Sequence, residues 1–386
     1  MVRGADFAAA QGDPEAGANY ASIVSDISNA VDTHWNADLK TIMPTNNDQR
    51  YDDVQTVFAS LHSYAEDDGF YQPSDSKVLA NAYYTLKSFA DYFNINKIGY
   101  DTAAPLTLGL AIGRYTGDVY NGGCDYDDSV CPAPCGGQPW FLATNALGEL
   151  IYKAISQWSK AGSVTIDGTS KSFFEFFNIR YAEGSYSAGS DEYKSILTVL
   201  LHAADSFIER TQYHTNSDYR LDEQYSADTG AMMSAGDLVW SYASLVTAND
   251  ARNALNPDSL VANLNADTST VLQEFLISDY DVPEDSSKPV FRIVGSTNSL
   301  GNGDACGYGY DSRTPVVRRC SKISTDETKT NCDYTIVLAV PKDTEIQWQM
   351  VRTDTACTAF EYSSAGNTTI AATNNGVTIS AASWTK

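Results

Sequence analysis

Long hydrophobic runs are the first thing this chain lacks. No stretch approaches the roughly 20 consecutive apolar residues that a bilayer-spanning helix needs, so no segment reads as a membrane span. Positive charge is also scarce. Twenty-five Lys and Arg stand against 49 Asp and Glu, giving a formal charge of −24 and a pI near 4.3. Phosphate backbones and anionic lipid surfaces repel such a chain, which argues against nucleic-acid and membrane-surface roles and leaves a neutral substrate compatible. The four histidines are scattered at positions 34, 62, 202 and 214, and His202, inside an apolar helical pattern, reads as a packed core residue. No GxSxG, HExxH, Walker or dinucleotide fingerprint occurs, which removes several enzyme classes. The opening MVRGADFAAAQGDPEAG carries one Arg but no continuous apolar region, so it does not read as a signal peptide.

What is present is a globular composition, 43% hydrophobic and 11% aromatic, with 24 Tyr and 6 Trp. Such rings serve a core or a carbohydrate cleft equally well. Seven cysteines divide unevenly. Cys124, Cys131 and Cys135 crowd one Gly/Asp/Pro-rich loop, where a disulfide plus a free thiol competes with a zinc site; the absence of a nearby histidine or a CxxC pair weighs against zinc. Cys306, Cys320, Cys332 and Cys357 form an even set, which suggests two disulfides in a secreted domain with three possible connectivities.

Up to about residue 250 the hydrophobic period is helical. ANYASIVSDISNAVDTHW sets Ile23, Ile27, Val31 and Trp35 four apart on one face. SDSKVLANAYYTLKSFADYF starts at a candidate cap, Ser74, and carries Val78, Leu79, Leu86 and Phe89. FLATNALGELIYKAISQW and DEYKSILTVLLHAADSFIER continue the pattern, and SAGDLVWSYASLVTA opens on a capping-box-like pair, Ser234 and Asp237. Shorter helices are expected near 52–63 and 171–178. The long polar loops between helices, rich in Gly, Asp and Tyr, suggest an α/α barrel or toroid with a site built at one end. A linker is expected at 255–267. Beyond it PVFRIVGS, YTIVLAV, TEIQWQMVRT and a turn followed by a strand in TNNGVTISAASW predict a small all-β sandwich.

Candidate chemistry reduces to carboxylates, aromatics and one arginine in Gly-rich loops. Arg114, in AIGRYTGDVYNGG, reads either as a surface pair with Asp118 or as a planar donor fork for hydroxyls. Trp140, in GQPWFLAT, is a core anchor or a sugar platform. Glu223 lies in the turn-prone LDEQYSADTG. Glu149, Glu175, Glu183, Glu192 and Glu209 read as solvated helix faces or exposed turns.

In order, IGRYTGDVYNGG, GQPWFLAT, ELIYKAISQW and DEQYSADTGAMMSAGDLVWSYASLVTAN resemble the second half of a glucoamylase catalytic domain of glycoside hydrolase family 15, with its GRYPEDxYxG, GNPWFL and EQxDxxxGxxxSAxDLTWSYAxLLTAN segments. The resemblance covers roughly 1–254. The tail, 268–386, is similar to a starch-binding domain of carbohydrate-binding module family 20. The resemblance implies a mainly α (α/α)6 barrel followed by a β-sandwich, an extracellular protein that is a monomer when intact, and no cofactor or metal. It implies inverting release of glucose from starch and maltooligosaccharides, which takes two carboxyl groups about 6.5–9.5 Å apart.

By position in the family motifs, Glu223 matches the catalytic base and Arg114 the arginine that holds the terminal glucose. Tyr120, Trp140 and Trp240 match substrate-binding or cleft-lining residues. In the tail, Tyr362 matches a sugar-stacking position, while Gly303 and Gln349 stand where the family has a tryptophan and a lysine. The family's acid lies in a segment upstream of the region that VRGADFAAA resembles, so the resemblance sets the acid, an early Arg-Asp pair and the first barrel helices ahead of Met1. On that reading the chain by itself has little or no activity, and the alternative is a non-catalytic α-glucan-binding protein or a degenerate relic. Gly236 stands where the family has arginine.

Overall fold

The computed structural model describes backbone and side chains for residues 3–46, 50–65, 69–97, 108–120, 136–177 and 179–256, and beyond these the backbone of strands between 270 and 371. The helices are α1 (Val2–Ala10), α2 (Pro14–Ser22), α3 (Val24–Asp32), α4 (Gln55–Ser63), α5 (Ser76–Phe89), α6 (Phe141–Ala161), α7 (Lys171–Phe176), α8 (Asp191–His214) and α9 (Val239–Ala254). Between them lie short antiparallel pairs: β1 (Trp35–Asn36) with β2 (Thr41–Ile42), β3 (Ser163–Ile166) with β4 (Gly184–Ser187), and β5 (Gln224–Tyr225) with β6 (Met232–Met233).

The long helix α6 organises the helical part. It follows Pro139 and Trp140 and stops at Gly162, which takes the left-handed conformation (φ 65°) that ends helices at little steric cost. Buried residues lie on nearly every side of it, the mark of an interior helix. It packs between α8 and α9, with α4 also against it. α8 starts at Ser190, whose hydroxyl accepts from the Tyr193 amide at 3.2 Å, and Asp191 and Glu192 complement the positive end of its dipole. One buried amide ties the three helices together: Asn145 donates to Ser244 Oγ (3.0 Å) and accepts from Thr211 Oγ1 (2.7 Å).

Several expectations change. The segment 18–35 is two helices, broken at Ile23, followed by a strand containing Trp35; Ile23 and Ile27 are exposed at 38% and 42%. α5 starts after Asp75, one residue beyond the expected cap. α9 opens at Val239 without a side-chain cap, because Ser234 and Asp237 are both left-handed (φ 70° and 52°) and belong to the preceding loop. His202 is on the exposed face of α8, not in the core. Glu149 is buried between α6 and α9, held by Lys153 at 2.7 Å and Thr247 at 2.7 Å, because α6 has almost no solvated face.

The C-terminal strands are β7 (Thr270–Val282), β8 (Val290–Gly295), β9 (Val317–Ile323), β10 (Asp326–Pro341), β11 (Glu345–Thr353), β12 (Phe360–Tyr362) and β13 (Thr368–Ala371). They form one antiparallel sheet in the order β7-β10-β9 and a second in which β11 pairs with β8, β12 and β13. β8, β10 and β11 contain the three expected strands. β7, β9, β12 and β13 were not anticipated. Of the linker expected at 255–267, Leu255 and Asn256 are described and close α9; the remainder, the strand expected in 373–384 and the Cys124–Cys131–Cys135 loop lie outside the described residues.

Candidate active site

Three segments distant in sequence converge: the stretch 108–120, the Pro139–Trp140 segment that leads into α6, and Glu223 with the strand β5 that follows it. Backbone bonds hold them in register. Trp140 N donates to Ile112 O at 2.9 Å, Tyr225 N donates to Pro139 O at 3.1 Å, and Trp140 forms a single β-bridge with Gln224. Beneath them a buried hydroxyl pair locks the same three segments. Thr144 Oγ1 lies 2.6 Å from Tyr225 OH and accepts from Ile112 N at 3.2 Å. Full burial pushes the Tyr225 phenol up to about 12, so it stays protonated. His214 stacks on Tyr225 at 4.7 Å, and Gly230, left-handed at φ 70°, fits against that imidazole where a Cβ would come within 2.3 Å of the ring.

Arg114 is fixed by a two-point ion pair. Its Nε donates to Asp118 Oδ2 at 2.7 Å and its Nη2 to Asp118 Oδ1 at 2.6 Å. The Asp118 side chain is 2% exposed and that of Arg114 38%, so the pair is anchored in the interior at its carboxylate end and does not lie free on the surface. The pairing holds the guanidinium above its ordinary pKa. It leaves three of the five guanidinium N–H groups uncommitted among the described residues. Asp118 is itself set by Gly137, where a Cβ would lie 2.5 Å from the Asp118 Cβ, and its Oδ1 also accepts from Tyr120 N at 3.0 Å. Asp52, not singled out in sequence, accepts from Thr116 N at 3.1 Å, and Tyr92 OH from Gly117 N at 2.7 Å; both shape the turn after Arg114.

Glu223 is buried at 8% exposure in the bend just before β5, where its backbone N donates to Ala235 O (2.8 Å). Tyr120 OH donates to its Oε2 at 2.9 Å. Partial burial and the adjacent carboxylate raise the Tyr120 pKa, so the phenol keeps its proton and acts as donor. The other oxygen, Oε1, has no hydrogen-bond partner among the described residues, which leaves it for a water. The rings continue the wall: Tyr120 to Trp140 is 5.6 Å between centroids and Trp140 to Trp240 is 5.9 Å. The Arg114 guanidinium lies 4.8 Å from the Tyr120 ring and 5.4 Å from that of Trp140. Trp240 and Tyr120 are 49% and 40% exposed, whereas Trp140 is buried with its indole Nε1 unpartnered among the described residues. A buried donor without an acceptor is costly and marks a place where a ligand oxygen would be welcome.

Arg114, Tyr120, Trp140, Trp240 and Glu223 are therefore brought together. The remaining carboxylates of these segments are engaged: Asp118 by Arg114, Asp222 by Arg220 (3.1 Å) and the Asp237 amide (3.2 Å), and Asp237 by Tyr242 OH (2.6 Å). Gly236 has open space, with only Asp222 Oδ1 at 3.5 Å from where a Cβ would stand. Tyr362 belongs to β12, opposite Val351 of β11; Gln349, two residues before Val351, shares that face as a diagonal neighbour. Gly303 lies outside the described residues. No group of three or more His, Cys, Asp or Glu among the described residues is arranged to hold a metal ion, and no described helix is long and apolar enough to cross a membrane.

The family model for Glycosyl hydrolases family 15 matches residues 1–250. Among curated proteins, Glucoamylase 1 of Rhizopus oryzae is 33% identical over 258 residues, covering 65% of this chain and 40% of that protein. The glucoamylase of Blastobotrys adeninivorans is 31% identical over 264 residues, 66% of this chain and 40% of its own length. The chain thus spans about 40% of the length of these relatives. Among solved structures, the glycoside hydrolase family 15 glucoamylase from Hypocrea jecorina aligns at a TM-score of 0.57 with 22% identity, covering 98% of this chain and 66% of that one. The Saccharomycopsis fibuligera glucoamylase aligns at 0.56 with 26% identity, over 65% and 53%.

Proposed function

Since the chain belongs to glycosyl hydrolase family 15, we propose that it carries the general-base half of an inverting exo-glucosidase site on part of an (α/α)6 toroid. The substrate class is terminal α-1,4-linked glucose of starch and maltooligosaccharides, and the setting is extracellular. The observation that carries this reading is the Glu223 carboxylate, with one oxygen taken by Tyr120 OH at 2.9 Å and the other without a partner among the described residues.

The chemistry follows from that asymmetry. Tyr120 fixes the rotation of the carboxylate, and Oε1 accepts the proton of a water that attacks the anomeric carbon. Arg114, immobilised by Asp118, offers its remaining N–H groups to the hydroxyls of the terminal sugar. Trp140 offers an indole donor, and the faces of Tyr120 and Trp240 pack on the C–H surface of the ring. Inversion further requires a protonated carboxyl about 6.5–9.5 Å across the scissile bond. Asp118 and Asp222 are engaged by the guanidinium groups of Arg114 and Arg220, so neither is assigned that role. Without a general acid, hydrolysis is slower by about 10²–10⁴. The engagement of these carboxylates also favours a second reading, α-glucan binding without turnover, in which Tyr362 and the β strands add a further contact.

Proton NMR of the products from a maltooligosaccharide tests the assignment. The proposal expects β-glucose to form first and to do so through Glu223. The α-anomer as first product would overturn it, and tight binding with no glucose release would establish the second reading.

A further inference from the structure

Cys306, Cys320, Cys332 and Cys357 allow three pairings on sequence grounds, and the strand register discriminates among them. β9 and β10 are adjacent antiparallel strands in which Cys320 stands directly opposite Cys332. Opposed residues of an antiparallel pair share a face, with Cα atoms about 4.5 or 5.5 Å apart according to ladder position. Both spacings fall within the roughly 4.4–6.8 Å that a disulfide spans. We propose that Cys320 and Cys332 form a cross-strand disulfide that staples β9 to β10.

The staple acts where the hairpin needs it. β9 is an edge strand of the β7-β10-β9 sheet. Its turn end is irregular: Ile323 opposes Asp326, but the next pair is Lys322 with Thr330, so 327–329 of β10 have no counterpart. β10 shifts again relative to β7 between Cys332 and Tyr334. The shift within β10 separates the Ile323–Asp326 closure from the rest of the ladder, so that closure does not by itself fix the register at Cys320. A one-residue slip of β9 would move all its side chains to the opposite face. The Cys320–Cys332 pair sits between the two irregularities and pins the alignment covalently. In sequence, Cys320 follows Arg318 and Arg319 and precedes Lys322, and nearby cations favour the reactive thiolate.

Closure takes two electrons and two protons from the two thiols as one S–S bond forms. Oxidised glutathione supplies the oxidant: one cysteine thiolate attacks its disulfide and expels a reduced glutathione. The second cysteine then displaces the other glutathione, which leaves as a thiol.

Peptide mapping of the full chain after equilibration in a glutathione redox buffer reads the result. Trypsin cleaves after Arg319, Lys322, Lys329 and Lys342, which places the two cysteines on separate peptides, 320–322 and 330–342. The proposal expects these peptides to run as one linked species without reductant and as two separately alkylated peptides after reduction. In C320S, Cys332 is expected to become fully alkylatable. Free Cys320 and Cys332 thiols in the oxidised, unsubstituted chain would overturn the proposal. So would either cysteine linked to another partner, or a C320S chain in which Cys332 remains paired.

Discussion

The α6–α8–α9 block and the N-terminal helices α1–α3 both begin as amphipathic patterns, but they end in different environments. In the block, α6 buries Leu147, Leu150, Ile151 and Ile155 completely. In α1–α3, Phe7 is 67% exposed and Ile27 42%, and α3 buries no residue among those described. Periodicity reports that a helix has an apolar face; it does not report what covers that face. Where three helices share one interior, even polar groups are drawn in and satisfied, as with Asn145 between Ser244 and Thr211. Where they do not, isoleucines stay in water.

Substitutions in the two regions sharpen this contrast. Leu147→Ala leaves a cavity in the middle of α6 and is expected to cost about 2–5 kcal/mol in a urea titration. A cost under about 1 kcal/mol would show that the block is looser than its burial indicates. Thr211→Val removes the donor to Asn145 Oδ1 and strands a buried acceptor, with an expected loss of about 1–3 kcal/mol. Asp167 gives a smaller, pH-dependent effect. Burial pushes its carboxyl up, but donors from Ser76, Ser170 and Thr169 outweigh burial and hold it below the ordinary value. A depressed carboxyl stabilises the fold fully above the unfolded pKa, about 3.9, and loses that contribution as pH falls through the lower folded value. Asp167→Asn should therefore flatten the acid limb of thermal stability below about pH 4 and leave the slope above it unchanged. Smallest of all, Ile27→Ser is expected to shift stability by no more than about 0.5 kcal/mol. A loss comparable to that of Leu147→Ala would mean that α3 is covered after all.

The same contrast explains what could be read from the sequence. The interior helices were legible because their apolar residues repeat over many turns, and α6 and α8 lie close to their expected limits. The capping pair Ser234 and Asp237 misled because both adopt left-handed backbone in a loop that packs under Glu223, a tertiary requirement invisible to local pattern. Glu149 looked like a solvated position because helical spacing cannot tell a surface helix from one enclosed on all sides. The site residues Arg114, Tyr120, Trp140, Glu223 and Trp240 were singled out by resemblance and not by chemistry alone. Their support was not visible: Thr144 with Tyr225, Asp52 beneath the Arg114 turn and Gly137 against Asp118 are contacts between segments far apart in the chain.

The central claim concerns Glu223, and one substitution reaches it most directly. Glu223→Gln keeps an acceptor for Tyr120 OH and the shape of the site, but it removes the carboxylate that would take a proton from water. Comparison of kcat/KM on a maltooligosaccharide for the unsubstituted and E223Q chains, with affinity measured in parallel, isolates that loss. The account predicts a fall of about 10²–10⁴ in rate with affinity little changed. Equal rates in the two chains would contradict it.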